Sequence, residues 1–270
     1  MVGKLLSTKQ IEFFNNNGFL FPLKIMTSEI AHKYRKKLEI YENSKGHTIS
    51  GIDRHKSHLL FHWVYEIVRN QKILDAIEDL LGENILCWSS NFFIKEPNDN
   101  TYVSWHQDSE YWGLEPDDVI TAWIALSDAN IDTGPMEVIP KSHKWENKIH
   151  EETFQKNNLL SRGQEIKNMS NTDGAIAMPL NAGEISLHHV KLAHSSKTNK
   201  TLDRRIGLAI RYTSTAVKQK NSSKDSALLV RGKDNYSNFI HEVPPRNDND
   251  IEAAKNHKIA SELHTKILMK

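Results

Sequence analysis

A single cysteine, Cys87, stands among the 270 residues. One thiol excludes an intrachain disulfide, and with it the small disulfide-held secreted domains; it fits a reducing compartment. No stretch approaches the roughly 18 continuous apolar residues that a membrane-spanning helix needs. An excess of one charge is missing too, since 35 Lys and Arg face 34 Asp and Glu, for a formal net charge of +1. That balance gives no electrostatic case for a nucleic acid or an anionic membrane as partner. The opening residues, MVGKLLSTKQIEFF, hold no apolar core followed by a small-residue cleavage site, so no signal peptide is expected. A soluble cytoplasmic protein is the expectation, with no oligomeric state written in the sequence.

What is present divides by texture. Ser7 and Gln10 have capping-box spacing ahead of IEFFNNNG, which predicts a short helix ending at Gly18, and FLFPL then reads as a strand. Helices are predicted over 28–43 and 72–81; in the second, Ile73, Leu74, Ile77, Leu80 and Leu81 recur at helical spacing, with Gly82 as C-cap. From Asn84 onward, ILCWSSNFFIK, TYVSWHQ, VITAWIAL, MEVIP, AIAMPL, EISLHH and RIGLAIRYTST are short runs of β-branched and aromatic residues between Gly, Pro, Asn and Asp punctuation. The fold class is therefore mainly β with flanking helices, a jelly-roll or cupin-like double-stranded barrel of about seven or eight strands. Expected is one domain: a helical preface over about 1–83, the barrel over about 84–215, and a C-terminal loop and helix over about 216–270. The stretch from Lys218 to Asp250, polar and broken by Pro244-Pro245, reads as mostly loop, and a terminal helix follows from about 251. No internal repeat and no linker divides the chain.

Two features carry chemistry. In SWHQDSEYWG, His106 and Asp108 have His-x-Asp spacing. Residues i and i+2 of an extended segment point the same way, so both could reach one metal while Gln107 points elsewhere. Two histidines and a carboxylate fill one face of an octahedral metal and leave three positions open, the arrangement of non-haem Fe(II) oxygenases. His188, His189 and His194 all follow a strand-like run, and spacing alone leaves the third ligand open among them. The second feature is RRIGLAIRY, where Arg205, Gly207, Ala209 and Arg211 share one face and Arg204, Ile206, Leu208 and Ile210 the other. An arginine entering a barrel lumen offers a fixed fork of donors to a carboxylate. The pattern leaves Arg204 and Arg205 both open. In SSNFFIKEP, Ser89, Asn91, Phe93 and Lys95 alternate onto one face, which makes Asn91 and Lys95 candidates for substrate or co-substrate. The histidine-rich segment 46–62 is either a substrate loop over the mouth or a solvated connection.

Taken together, SWHQDSEYWGL, TAWIALSDANIDTGPMEVIPKSHK, LAHSSKTN and RRIGLAIRY resemble the successive blocks of the phytanoyl-CoA dioxygenase family, and the resemblance runs from IEFFNNNGFLFP to DSALLVRG. It implies a double-stranded β-helix that uses Fe(II), 2-oxoglutarate and O2. On that resemblance His106, Asp108 and His194 are the iron ligands and catalytic centre, and Ser196 and Arg205 hold the distal carboxylate of 2-oxoglutarate. Trp112 is similar to an aromatic that lines the active site of related ectoine hydroxylases, Trp123 to a recurrent wall position, and His143 stays outside the site. Related halogenases have Ala or Gly where Asp108 stands, so the resemblance implies hydroxylation. The substrate implied is a small polar metabolite, such as an amino-acid derivative or a phosphonate like 2-aminoethylphosphonate, oxidised at an unactivated C–H with release of succinate and CO2. Desaturation or cyclisation on the same architecture is an alternative, as is a cupin-like metal-binding protein without turnover. Arg205 with Ser196 speaks against the last.

Overall fold

The strands Ile85–Lys95 and Arg205–Ser214 lie antiparallel at the centre of a seven-stranded sheet. In the computed structural model, which describes residues 3–169, 172–220, 224–248 and 250–269, the sheet runs Phe19–Lys24, Glu184–His189, Val119–Ala125, Arg205–Ser214, Ile85–Lys95, Ser226–Arg231, Ile240–His241. Neighbours are antiparallel except the last pair, which is parallel. A second sheet of four strands runs Val103–His106, His194–Ser196, Met136–Val138, Ile176–Met178. Side chains from both sheets line one cavity, so the sheets form the two layers of a double-stranded β-helix, as expected.

The alternation read from RRIGLAIRY is what divides the two faces of the large sheet. Ile206, Leu208, Ile210 and Tyr212 face outward into an apolar core with Leu38, Trp63, Ile67, Ile73 and Ile77 from the helices. Arg205, Ala209 and Arg211 face the cavity. Burying a central strand on both sides in this way fixes its register, because a slip of one residue would send every apolar side chain to the wrong layer.

The helices fall where the spacing predicts. Thr8–Asn17 has the reciprocal Ser7–Gln10 cap and ends at Gly18, whose φ of 84° suits glycine. Ser28–Lys45, Gln71–Leu81 and Ile251–Leu268 follow. Among the described residues, no helix is long and apolar enough to cross a membrane.

One expectation needs correction: the segment before Asn84 is not wholly outside the barrel, since Phe19–Lys24 forms the edge strand beside Glu184–His189. The stretch after Lys218 is mostly loop, as expected, but it also carries Ser226–Arg231, which pairs with Ile85–Lys95 in the main sheet. Its six residues are flanked by polar chain, and its partner lies far away in sequence, so local pattern hid it. Residues 221–223 and 249 of that stretch lie outside the described ones.

The 46–62 segment is exposed over most of 46–52 but tied down from about residue 55 onward. Lys56, fully buried, donates from Nζ to the Trp88 and Ser226 carbonyls (both 2.8 Å) and to Glu242 Oε1 (2.6 Å), while His58 shares a hydrogen bond with Glu242 Oε2 (3.0 Å). A buried ammonium is tolerable only with such full pairing. The network fixes the residues just before it, Arg54 and His55, against the cavity.

A Cβ on Gly207 would overlap the Trp123 indole, so the strand accepts only glycine there without displacing that ring. Gly207→Ala is expected to cost about 1–3 kcal/mol, read as a lower denaturant midpoint at an unchanged m-value.

Candidate metal centre

His106 ends the Val103–His106 strand and His194 opens the strand paired with it, and the two residues stand opposite each other in register. Directly opposed residues bring their side chains together; here the ring centroids are 4.1 Å apart. Asp108 comes from a different local structure than expected. The strand stops at His106, and Asp108 (φ −62°, ψ −34°) is the N-cap of the short helix Ser109–Trp112. It is this turn, not strand alternation, that folds the carboxylate back, with Oδ1 3.4 Å from His106 Nε2 and Oδ2 4.0 Å from His194 Nε2. All three are buried, and their ligand atoms lie within 4.8 Å of one another. Gln107 pins the turn, its Nε2 donating to the Lys191 carbonyl and its Oε1 accepting from the Lys148 amide, both at 2.9 Å.

The backbone chooses the tautomers. His106 Nδ1 meets the Ser104 carbonyl and His194 Nδ1 the Leu192 carbonyl, each at 2.9 Å. A carbonyl only accepts, so each Nδ1 carries the proton and each Nε2 presents a lone pair toward Asp108. Burial and the neighbouring His106 push the His194 imidazole down to about 4. Burial by itself would raise the Asp108 carboxyl, but the adjoining His106 and His194, whenever they are protonated, and the Arg211 guanidinium hold it well below the ordinary range. Two neutral nitrogens and an ionised carboxylate, oriented from behind, are a donor set that fits a divalent metal such as iron. The other histidines separate cleanly: His188 packs beside His194 (4.9 Å) without joining the group, and His189 turns to His143 (5.5 Å), outside the cavity.

The same cavity, about 190 Å³, takes in Arg205, Ser196 and Trp123. Arg205, 2% exposed, donates from Nη1 to the Gly134 carbonyl (2.7 Å) and lies over the Trp123 ring (5.3 Å), with its Nε unpartnered. Burial lowers its guanidinium to about 10. Arg204 is on the outer face, paired with Glu42 (2.7 Å) and Glu96 (2.9 Å). Lys95, fully buried, lies behind Ser196 rather than on the cavity wall; its Nζ donates to Ser196 Oγ (2.7 Å), to the Gly134 carbonyl (3.4 Å) and to the Lys197 carbonyl. Burial, then the charge of Arg205, pushes the Lys95 ammonium down to about 6.

Asn91 and Trp112 line the other part of the cavity. Asn91 bonds His55 Nδ1 and accepts from Ser89 Oγ (3.1 Å), and Trp112 packs on Trp88 (5.1 Å) with the Arg211 guanidinium over its ring (5.2 Å). The wall also takes in Arg54 and His55 from the 46–62 segment, Arg211 and His188, which the sequence offered only as open alternatives, and His264 with Leu268 from the terminal helix, which it did not offer at all. The alternation of RRIGLAIRY did carry a signal for Arg211, whereas nothing local shows that the terminal helix folds back onto the barrel.

The family model for phytanoyl-CoA dioxygenase (PhyH) matches residues 22–207. A probable alpha-ketoglutarate-dependent hypophosphite dioxygenase of Stutzerimonas stutzeri is 32% identical over 175 residues, which are 64% of this chain and 60% of that protein, so the match spans less than two thirds of the relative. Among solved structures, an apo non-heme monooxygenase, ThoJ, superposes with a TM-score of 0.86 at 32% identity, covering 96% of this chain and 97% of that one. CytC3 with Fe(II) and alpha-ketoglutarate shares the fold, with a TM-score of 0.69 at 20% identity over 92% of this chain and 98% of its own. The chain belongs to the phytanoyl-CoA dioxygenase family.

Asp108→Ala is expected to keep the fold and to weaken Fe(II) binding by about 100-fold or more, read by calorimetric titration alongside circular dichroism. Unchanged metal affinity would contradict the assignment of this carboxylate.

Proposed function

We propose that this chain hydroxylates an unactivated C–H bond of a small polar metabolite, consuming 2-oxoglutarate and O2 and releasing succinate and CO2. The observation that carries this reading is the opening of the His106–Asp108–His194 group and of Arg205 with Ser196 into one cavity. His106, Asp108 and His194 would hold Fe(II), which supplies the oxidising chemistry when bound. Arg205 presents its fork to the distal carboxylate of 2-oxoglutarate, and the unpartnered Nε is a donor still seeking an acceptor. Ser196 adds a hydroxyl beside it, and Lys95 a second cation behind. Phe93, Trp112 and Trp123 wall the cavity and keep water out of it. With Asp108 occupying a protein ligand position, the reading favours hydroxyl over halide transfer. The cavity volume suits a small substrate better than a long acyl chain, and hypophosphite, in the name of the Stutzerimonas relative, is likewise small and polar. In the same reading the chain acts as one domain, because strands from near both ends complete the sheet that carries Arg205.

Removing one partner of a charged, buried pair typically costs about 2–5 kcal/mol. Arg205→Ala is therefore expected to weaken 2-oxoglutarate binding by roughly 30-fold or more, and Arg204→Ala to leave it nearly unchanged. Calorimetry with 2-oxoglutarate on both variants decides this, and the reverse ranking would overturn the site. Succinate formation in step with O2 uptake and a hydroxylated product is the direct test of turnover.

A proton balance provides a further check. Lys95, held at about 6 in the free protein, is mostly neutral at pH 8. An arriving dicarboxylate favours its charged form, so binding should take up a proton above that value. Affinity for 2-oxoglutarate should then be greatest near and below pH 6 and decline as pH rises, and Lys95→Met should flatten the profile. Calorimetry in buffers of different ionisation enthalpy reads the proton directly; no uptake in the wild-type protein would contradict the role of Lys95.

A further inference from the structure

The cavity holds more positive charge than its co-substrate requires. Arg54, Arg162, Arg205 and Arg211 line it, against Asp108 as the single carboxylate on its wall. Arg162 is answered by Glu152 (2.9 Å), and Arg205 is assigned to 2-oxoglutarate. Arg54 and Arg211 remain. Among the described residues neither has a carboxylate within ion-pairing distance, and the Nε of each is buried without a hydrogen-bond partner.

Their surroundings offer ring faces but no free anion. The two guanidinium carbons flank one aromatic ring, at 5.8 Å and 5.7 Å from the Phe93 centroid, and Arg211 also lies over Trp112. Beside them His55 is occupied by Asn91, and His264 faces Asp225 through Nδ1 (3.3 Å), leaving no anion for the arginines. Asp108 is the one carboxylate whose charge acts on Arg211, and it is the carboxylate assigned to the metal group. Arg211, buried, and Arg54, half-buried with its Nε out of reach of water, repel each other in one cavity and leave donors unmet unless a negative group enters. Guanidinium is also the group best matched to oxyanions.

We propose that Arg54 and Arg211 form a clamp for an oxyanion on the substrate itself, a carboxylate or a phosphonate, at the end of the cavity away from Arg205. Arg205 and Arg211 are six residues apart on one strand, roughly 20 Å at strand spacing, so one strand carries two well-separated anion sites. The substrate is then a small molecule anchored by its acid group, with a C–H a few atoms away reaching the metal. Phe93 and Trp112 would hold the intervening carbons. This inference rests on the function proposed above.

The test is anaerobic calorimetry on protein loaded with Fe(II) and 2-oxoglutarate, titrated with methylphosphonate, propionate and neutral propionamide. At least one anion is expected to bind, and propionamide is not. Arg54→Gln and Arg211→Gln are each expected to weaken the anion about 30-fold or more while 2-oxoglutarate affinity stays within about twofold; Arg211→Lys should lose less, since it keeps the charge. Arg205→Gln should show the opposite split. Binding of methylphosphonate alone assigns a phosphonate group, and of propionate alone a carboxylate. No anion binding, equal binding of propionamide, or loss of 2-oxoglutarate rather than the anion in Arg211→Gln would each overturn the clamp. Failure of 2-oxoglutarate to bind the wild-type protein would instead contradict the proposed function, and the same anion titration on unloaded protein would still decide the clamp.

Discussion

The pairing that sets His194 opposite His106 is the constraint on which the site depends, because it joins the strand that carries one histidine to the strand that carries the other. Each histidine is oriented by the carbonyl two residues before it, so the tautomer and the aim of Nε2 are properties of the backbone. A slip of one residue in this pair would turn an imidazole to the other layer. The turn at Asp108 then needs only to bring one carboxylate back toward two nitrogens already in place. Gln107, bonded on both sides of its amide, holds that turn.

A second division of labour runs along the Arg205–Ser214 strand. Its outward face belongs to the apolar core under the helices, and its inward face carries Arg205 and Arg211 with small residues between. Glycine and alanine at 207 and 209 leave room for the Trp123 ring and the cavity, which is why two long cations can share the inner face of a central strand. Arg204, one residue from Arg205, illustrates the same alternation: it sits in a surface cluster with Glu42 and Glu96, and its charge never reaches the cavity.

Much of this was legible in the sequence, for physical reasons that also mark where reading stops. Capping residues, helical spacing and β-branched runs act locally, so the helices and the long strands stood out. His106, Asp108 and the alternating arginines were visible as residue types at suitable spacing, while the choice of His194 and Arg205 came from resemblance to a family. The sequence reading attributed the proximity of His106 and Asp108 to an extended strand, whereas a strand-to-helix turn produces it. What stayed hidden depends on long-range packing. The Ser226–Arg231 strand, the fastening of Lys56 by Glu242, and the approach of His264 to the cavity all join segments more than a hundred residues apart. No local pattern announces such contacts, and one of them brings His264 to the cavity wall.

The account turns on a metal and a co-substrate meeting in this one cavity. The most direct measurement is an anaerobic titration of metal-free protein with Fe(II) and then 2-oxoglutarate, followed by visible absorption. A weak charge-transfer band that appears only when both are present, and that is lost in His194→Ala, is the result predicted. Bound iron with no such band at saturating 2-oxoglutarate would contradict the account and leave a metal-binding barrel without this chemistry.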